Sequence, residues 1–206
     1  MRRTILVLSA TTLALTACST PTNGTPTPTS GGTNPNSSSS TNPAPEVPKV
    51  TSPINLAQIK QTPCKALTDT QAKEILGPTT ETVERLDGSA GPACMWSVPS
   101  TVRPSVTVIF SNLQDSGTGM VYAAKGKAYE LVEPLEPIDG YPVTVYDTKD
   151  ERASKGRCSV ALGTSDTQTI GISLEQSEAN IGKKDPCDAA REAAIRVLAT
   201  IRGGGN

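Results

Sequence analysis

From residue 54 onward, apolar positions recur with two periods. A short helical spacing comes first. Thr68 and Gln71 fit a capping box, Ala72, Ile75 and Leu76 form an apolar face behind them, and Gly77-Pro78 ends the helix. Residues 83–86, 94–98 and 105–111 then read as strands, with a turn over 88–92 between the first two. Val106 and Val108 supply the alternation and β-branching of the third. A second helical pattern opens at Gly117 and carries Met120, Val121, Ala124 and Ala128. Two strand pairs follow. Residues 131–137 and 143–146 flank the turn Asp139-Gly140, and residues 157–162 and 169–174 form a hairpin across 163–166. The last pattern is the longest. Asp185 caps it, Pro186 stands in its first turn, and Ala189, Ala190, Ala193, Ala194, Val197, Leu198 and Ile201 lie at helical spacing.

Most successive strands are joined by short turns, which predicts a mainly antiparallel sheet. Helices packed on it make an α+β domain. The segment 54–206 holds about 150 residues, enough for a single domain with one core.

The first 53 residues have a different character. Arg2 and Arg3 precede an apolar run from Ile5 to Leu15, which is too short to cross a bilayer. Residues 1–17 read as a signal peptide, outside the fold. The run Leu15-Thr16-Ala17-Cys18 has the form of a lipobox: small residues before a cysteine whose thiol accepts diacylglycerol. Residues 18–53 are rich in Thr, Pro, Ser, Asn and Gly. Such a segment buries too little apolar surface to offset the entropy of ordering. It reads as a tether with a reach on the order of 30–40 Å, with a composition that also suits O-glycosylation. These features predict a chain held on the extracytoplasmic face of the cell membrane by a lipid anchor at Cys18. An anchor of two or more acyl chains binds stably.

Beyond Cys18 there are four cysteines, Cys64, Cys94, Cys158 and Cys187, none in a CxxC pair, and the chain has no histidine. Zinc sites usually draw on CxxC pairs or on histidine, so no metal is expected. In an oxidising compartment, separated cysteines in even number predict two disulfides. Spacing alone leaves three pairings open. Local context pairs like with like. Cys64 and Cys187 each follow a proline at a helix entrance, and Cys94 and Cys158 each sit in a strand, giving Cys64–Cys187 and Cys94–Cys158.

These residues resemble the DUF3558 lipoproteins of actinobacteria. The likeness rests on the lipobox and polar tether, on Pro63-Cys64-Lys65-Ala66-Leu67 running into Ala72–Gly77, on Cys94-Met95-Trp96, on the Cys158 strand, and on Asp185-Pro186-Cys187. The resemblance implies secreted, surface-anchored domains of uncharacterised function and carries over no catalytic residue.

Several activities can be weighed against the residues themselves. Without histidine, the commonest proton-transfer group is missing and Ser/His or Cys/His nucleophile pairs are excluded. A phosphate-cradling glycine loop is absent, because Gly203, Gly204 and Gly205 follow the last helix rather than precede one. No cofactor is expected. A net charge of −1 without a basic cluster speaks against nucleic acid. Two carboxylate clusters remain as candidate chemistry: Glu133, Glu136 and Asp139, and Asp147, Asp150 and Glu151. Both are expected on solvated loops. The aromatics are few. Trp96 is expected in the core beside a disulfide, Tyr122 and Tyr129 on one helix face, and Tyr141 and Tyr146 near the Asp139-Gly140 turn, where they could be exposed. The reading that follows is a non-enzymatic extracellular binding or interaction domain. The alternatives are a carrier of a lipid or small apolar ligand and a carboxylate-based hydrolase. An open apolar cavity would favour the carrier, and a closed core with an exposed apolar patch would favour a protein partner.

Overall fold

The computed structural model of the chain describes residues 46–78, 80–99 and 103–203. Its centre is one seven-stranded sheet, antiparallel throughout. Strands β1 (Glu81–Arg85), β2 (Ala93–Ser97) and β3 (Ser105–Phe110) form one meander. Strands β4 (Leu131–Ile138), β5 (Tyr141–Asp147), β6 (Arg157–Ser165) and β7 (Gln168–Glu175) form a second. The last strand of each pairs with the other, β3 against β7, so the order across the sheet is β1-β2-β3-β7-β6-β5-β4.

Alternation along the strands sends one row of side chains inward. Cys94 and Trp96, Val106, Val108 and Phe110, Ile170, Ile172 and Leu174, Cys158, Val160 and Leu162, and Val143 and Val145 are all buried there. Helix α4 (Pro186–Gly203) packs over β6 and β7 through Ala190, Ala193, Ala194, Val197 and Leu198. Small residues along that face let the helix sit close to the sheet. Helix α1 (Asp69–Leu76) lies beside α4, where Thr200 Oγ1 donates to Gln71 Oε1 at 3.1 Å. The expected capping box is present in full: Thr68 Oγ1 accepts from Gln71 N–H, and Gln71 Oε1 accepts from Thr68 N–H. Asp185 caps α4 by accepting from Cys187 N–H at 2.8 Å.

Helix α2 (Thr118–Ala123) and the short α3 (Arg152–Lys155) complete the set. The helical pattern drawn through Ala128 stops at Ala123. Gly126 adopts φ +71°, outside helical geometry, and the chain turns there. Tyr122 and Tyr129 therefore do not share a helix. Between β4 and β5, Asp139 and Gly140 both have positive φ, 49° and 83°. That is the geometry of a two-residue hairpin turn matched to strand twist.

Composition assigned residues 46–53 to the tether, yet these residues run against the domain. Val50 is buried, its N–H donates to Asp166 Oδ1 at 3.0 Å, and Ser52 O accepts from the Tyr141 hydroxyl at 2.7 Å. A polar segment finds partners here through backbone hydrogen bonds that composition does not reveal.

The structure forms two disulfides but corrects the pairing. The bonds are Cys64–Cys94 and Cys158–Cys187, with Cα separations of 5.0 and 5.1 Å. The expected Cys94–Cys158 bond is geometrically impossible. Strands β3 and β7 stand between β2 and β6, which puts about 14 Å between the two cysteines at ordinary strand spacing. A disulfide tolerates about 7 Å between Cα atoms. Each bond instead ties a sheet strand to the helical segment above it: β2 to the turn before α1, and β6 to the first turn of α4.

Each bond closes a loop of similar length, with sequence separations of 30 and 29. Replacing Cys158 and Cys187 together by Ser should lower the unfolding free energy by about 3–4 kcal/mol in the chain-entropy model, read by denaturant titration. Non-reducing peptide mapping should recover Cys64 linked to Cys94. Recovery of a Cys64–Cys187 peptide would contradict this fold.

Candidate functional site

The second face of the sheet is covered over only part of its width. Helix α2 packs across β5 and β6. Val121 of α2 is buried with Val132 and Ala161 of the sheet, and Tyr122, Tyr129 and Tyr146 pack against them. The Tyr129 and Tyr146 rings meet edge to face at 5.0 Å. Burial, helped by the neighbouring Tyr129 and Asp147, pushes the Tyr146 hydroxyl up to about 12. The phenol therefore keeps its proton at neutral pH. Its Oη lies over Gly171 on β7, where an added Cβ would stand 3.1 Å away. Glycine leaves the space the phenol occupies.

Past Gly171 the same face carries a small groove of about 230 Å³ over β1, β2 and β3. Val83, Met95 and Ile109 form its floor, Arg85 and Thr107 border it, and the turn Gly88–Gly91 makes one wall. Val83 is 39 % exposed, and Met95 and Ile109 are half-buried. The turn is held by close backbone approach. Gly91 has φ +129°, and a Cβ there would fall 2.1 Å from the Phe110 carbonyl oxygen, so no other residue fits. These strands thus carry apolar side chains on both faces. Cys94, Trp96, Val108 and Phe110 point into the core, while Met95 and Ile109 point out.

A larger cleft of about 660 Å³ opens at the other end of the inner layer, between the end of α1, the end of β7 and the start of α4. Ile75, Leu76 and Leu174 line its base, and Glu175, Lys183, Lys184, Asp185 and Asp188 its rim. Gln176 is buried at its edge and donates from Nε2 to Lys184 O at 3.2 Å. The lining mixes charges of both signs. Among the described residues no group of three or more His, Cys, Asp or Glu side chains is placed to hold a metal ion. None of the described helices is long and apolar enough to cross a membrane.

The residues singled out from the sequence fall as follows. Cys18 lies outside the described residues. Cys64, Cys94, Cys158 and Cys187 are all bonded, so none is a nucleophile or ligand. Trp96 is 1 % exposed in the core, two residues from the Cys64–Cys94 bond. Tyr141, considered for exposure, is buried, and Tyr146 is half-buried, because the strand carrying them passes under α2 and the 46–53 segment.

The two carboxylate clusters are partly joined, through a cation. Arg152 reaches Glu133 at 2.9 Å and Asp150 at 2.6 Å. Glu151 pairs with Lys155 at 2.5 Å and Arg157 at 3.2 Å, and Arg157 continues to Glu175 at 2.5 Å. Asp139 stands apart with Arg202 at 2.8 Å, and Glu136 uses its carbonyl to accept from Arg191. Asp147 Oδ1 accepts from Thr148 N–H at 2.7 Å. Hydrogen bonds from Arg152 hold the Asp150 carboxyl below its ordinary value, and the hydrogen bond from Lys155 does the same for Glu151. General acids in carboxylate hydrolases need the opposite shift. The groove escaped the reading of the residues, although its signal was present. Val83, Met95 and Ile109 are apolar at positions that a one-faced strand would give to polar side chains.

Both carboxylates favour their ionised form in the fold. That contribution is complete above the ordinary carboxylate range near pH 4 and is lost as pH falls through the lowered values. NMR titration should find Asp150 and Glu151 ionising below the usual aspartate and glutamate values. Arg152→Ala should return Asp150 toward its ordinary value and leave Glu151 where Lys155 and Arg157 hold it. An Asp150 that titrates above the usual value would refute the ion-pair geometry.

A family model described as a protein of unknown function, DUF3558, matches residues 13–200. No curated protein and no solved structure matches the chain. With nearly all of its length matched, the chain belongs to the DUF3558 family.

Proposed function

We propose that this chain is a lipid-anchored envelope domain that engages a protein partner outside the cell through the groove on the uncovered half of its sheet, without performing catalysis. The observation that carries the reading is the pairing of a packed core with a partly exposed apolar floor, at exposed Val83 and half-buried Met95 and Ile109. Surface apolar groups gathered in one concave place favour contact with another macromolecule. The anchor rests on the lipobox ending in Cys18 and on the polar segment after it. Tethering raises the effective concentration of the domain for any partner within reach.

The carrier reading has less support. A lipid or small apolar ligand needs a cavity that buries most of its surface. The larger cleft is rimmed by Glu175, Lys183, Lys184, Asp185 and Asp188, and the groove holds only about 230 Å³. The hydrolase reading has less support again. Glu133, Asp139, Asp150 and Glu151, four of the six carboxylates that could serve it, are paired with Arg152, Lys155, Arg157 and Arg202.

The anchor is tested by Cys18→Ala in a bacterial host. The variant should leave the membrane fraction and lose acyl labelling, and retention of both would end that part of the reading.

The groove is tested by Met95→Glu in the full chain. In-cell cross-linking should recover a protein partner with the natural chain and at least about tenfold less with the variant, as expected when a charge enters an apolar contact. An unchanged melting temperature would show that the fold is kept. Equal recovery from both chains would sink the groove as the contact site.

A further inference from the structure

The two edges of the sheet are protected unequally. Edge strand β4 contains Pro134 and Pro137 and a register shift between Leu135 and Ile138. Its carbonyls at Glu136 and Pro137 accept from Arg191 at 3.2 and 3.4 Å. Prolines, bulges and covering side chains are the ordinary means of preventing strand addition. Edge strand β1 has no proline and no register shift; it is short and carries Glu81, Glu84 and Arg85, charges that guard an edge only against a strand whose own charges do not match them. Its five residues, Glu81-Thr82-Val83-Glu84-Arg85, are all exposed, pair in regular register with β2 on one side, and have no strand on the other.

We infer that β1 is a self-association edge, which pairs antiparallel with β1 of a second copy of this chain about a two-fold axis at Val83. The strand is complementary to itself in that register. Glu81 falls opposite Arg85 of the copy, Val83 opposite Val83, and Arg85 opposite Glu81. These three residues share one face of the strand, the groove face, because side chains alternate. Thr82 falls opposite Glu84 on the other face. Opposite charges placed directly across an antiparallel pair stabilise it, and like charges oppose it. Neighbouring registers are poorer. Centring on Glu84 would set Glu84 against Glu84 and Glu81 against Asp87.

The charges are available. Arg85 has no ion-pair partner among the described residues, and the contact of Glu81 is a long 3.4 Å bond from Ser97 Oγ. Pairing would join the two sheets into one and run the two grooves together across the axis, with Val83 and its copy at the centre. Isologous contacts of this kind close on themselves. A five-residue edge buries less than a stable soluble dimer needs, so association depends on crowding the chains together. The pairing deepens the proposed interaction role by naming a second copy as one partner. It rests on β1 alone, and it stands or falls separately from capture of another protein at Met95.

The test is site-directed disulfide trapping in the full chain, in the host membrane. Val83→Cys should give a covalent dimer on mild oxidation, because the two Cα atoms across the axis fall within the span a disulfide bridges. Leu113→Cys, more exposed than Val83 but outside β1, should not. In the Val83→Cys background, Arg85→Glu should cut the trapped dimer about tenfold, and the exchange Glu81→Arg with Arg85→Glu should restore it. All of these positions are exposed, and an unchanged circular dichroism spectrum checks the fold. No more dimer from Val83→Cys than from Leu113→Cys overturns the inference. So does trapping that is indifferent to Arg85→Glu.

Discussion

The rest of the structure depends on the pairing of β3 with β7. It joins the two meanders into one sheet, from Ser105 opposite Glu175 to Phe110 opposite Ile170. Once it forms, Val106, Val108 and Phe110 continue the apolar row of Leu174, Ile172 and Ile170. That row is broad enough for α4 and α1 to cover. The pairing also separates Cys94 from Cys158, and so decides the disulfides. Each cysteine bonds to the helical segment directly above it, and the covering layer is stapled to the sheet at both meanders. The cost of this arrangement is a long-range closure, since β3 and β7 lie on opposite sides of α2 and a complete hairpin. Two crosslinks of short sequence separation offset part of that entropy.

The charged groups serve the same architecture. Arg152 gathers Glu133 and Asp150, and Arg157 links Glu151 to Glu175 at the end of β7, so the loop before β6 is held to the sheet. Arg103 reaches the same Glu175 at 3.4 Å. On α4, Arg196 spans Glu192 and Glu74 and so ties α4 to α1. Exposed pairs of this type contribute little individually. For Asp150 and Glu151 the consequence is chemical: hydrogen bonds from Arg152 and Lys155 favour their ionised forms, the opposite of what a general acid needs.

Local physics made most elements legible from the residues alone. The capping box at Thr68, the turn at Asp139-Gly140 and the alanine-rich face of α4 are each written within a few neighbours. Features set by partners distant in sequence were not legible. The disulfide pairing follows from strand order, and strand order follows from the β3–β7 contact. The packing of Val50 and Ser52 follows from acceptors and donors at Asp166 and Tyr141, more than eighty residues away. The early end of α2 was half-visible, since Gly126 sits inside the apolar pattern that ran past it. The groove was visible in principle, because Met95 and Ile109 break the one-faced alternation. Periodicity alone does not say whether a helix covers them.

The proposed role depends on which surface of the sheet domain meets a partner. The uncovered half of the sheet, over β1, β2 and β3, should be that surface, and the charged cleft at the start of α4 should not. Hydrogen exchange with mass analysis, comparing the full chain in native membranes with the purified chain, decides between them. The account predicts slowed amide exchange in membranes over residues 81–97, including the turn at Gly88–Gly91, with the segments around Lys183 and Asp188 unchanged. Slowing at the α4 cleft with no change across β1 and β2 would contradict it.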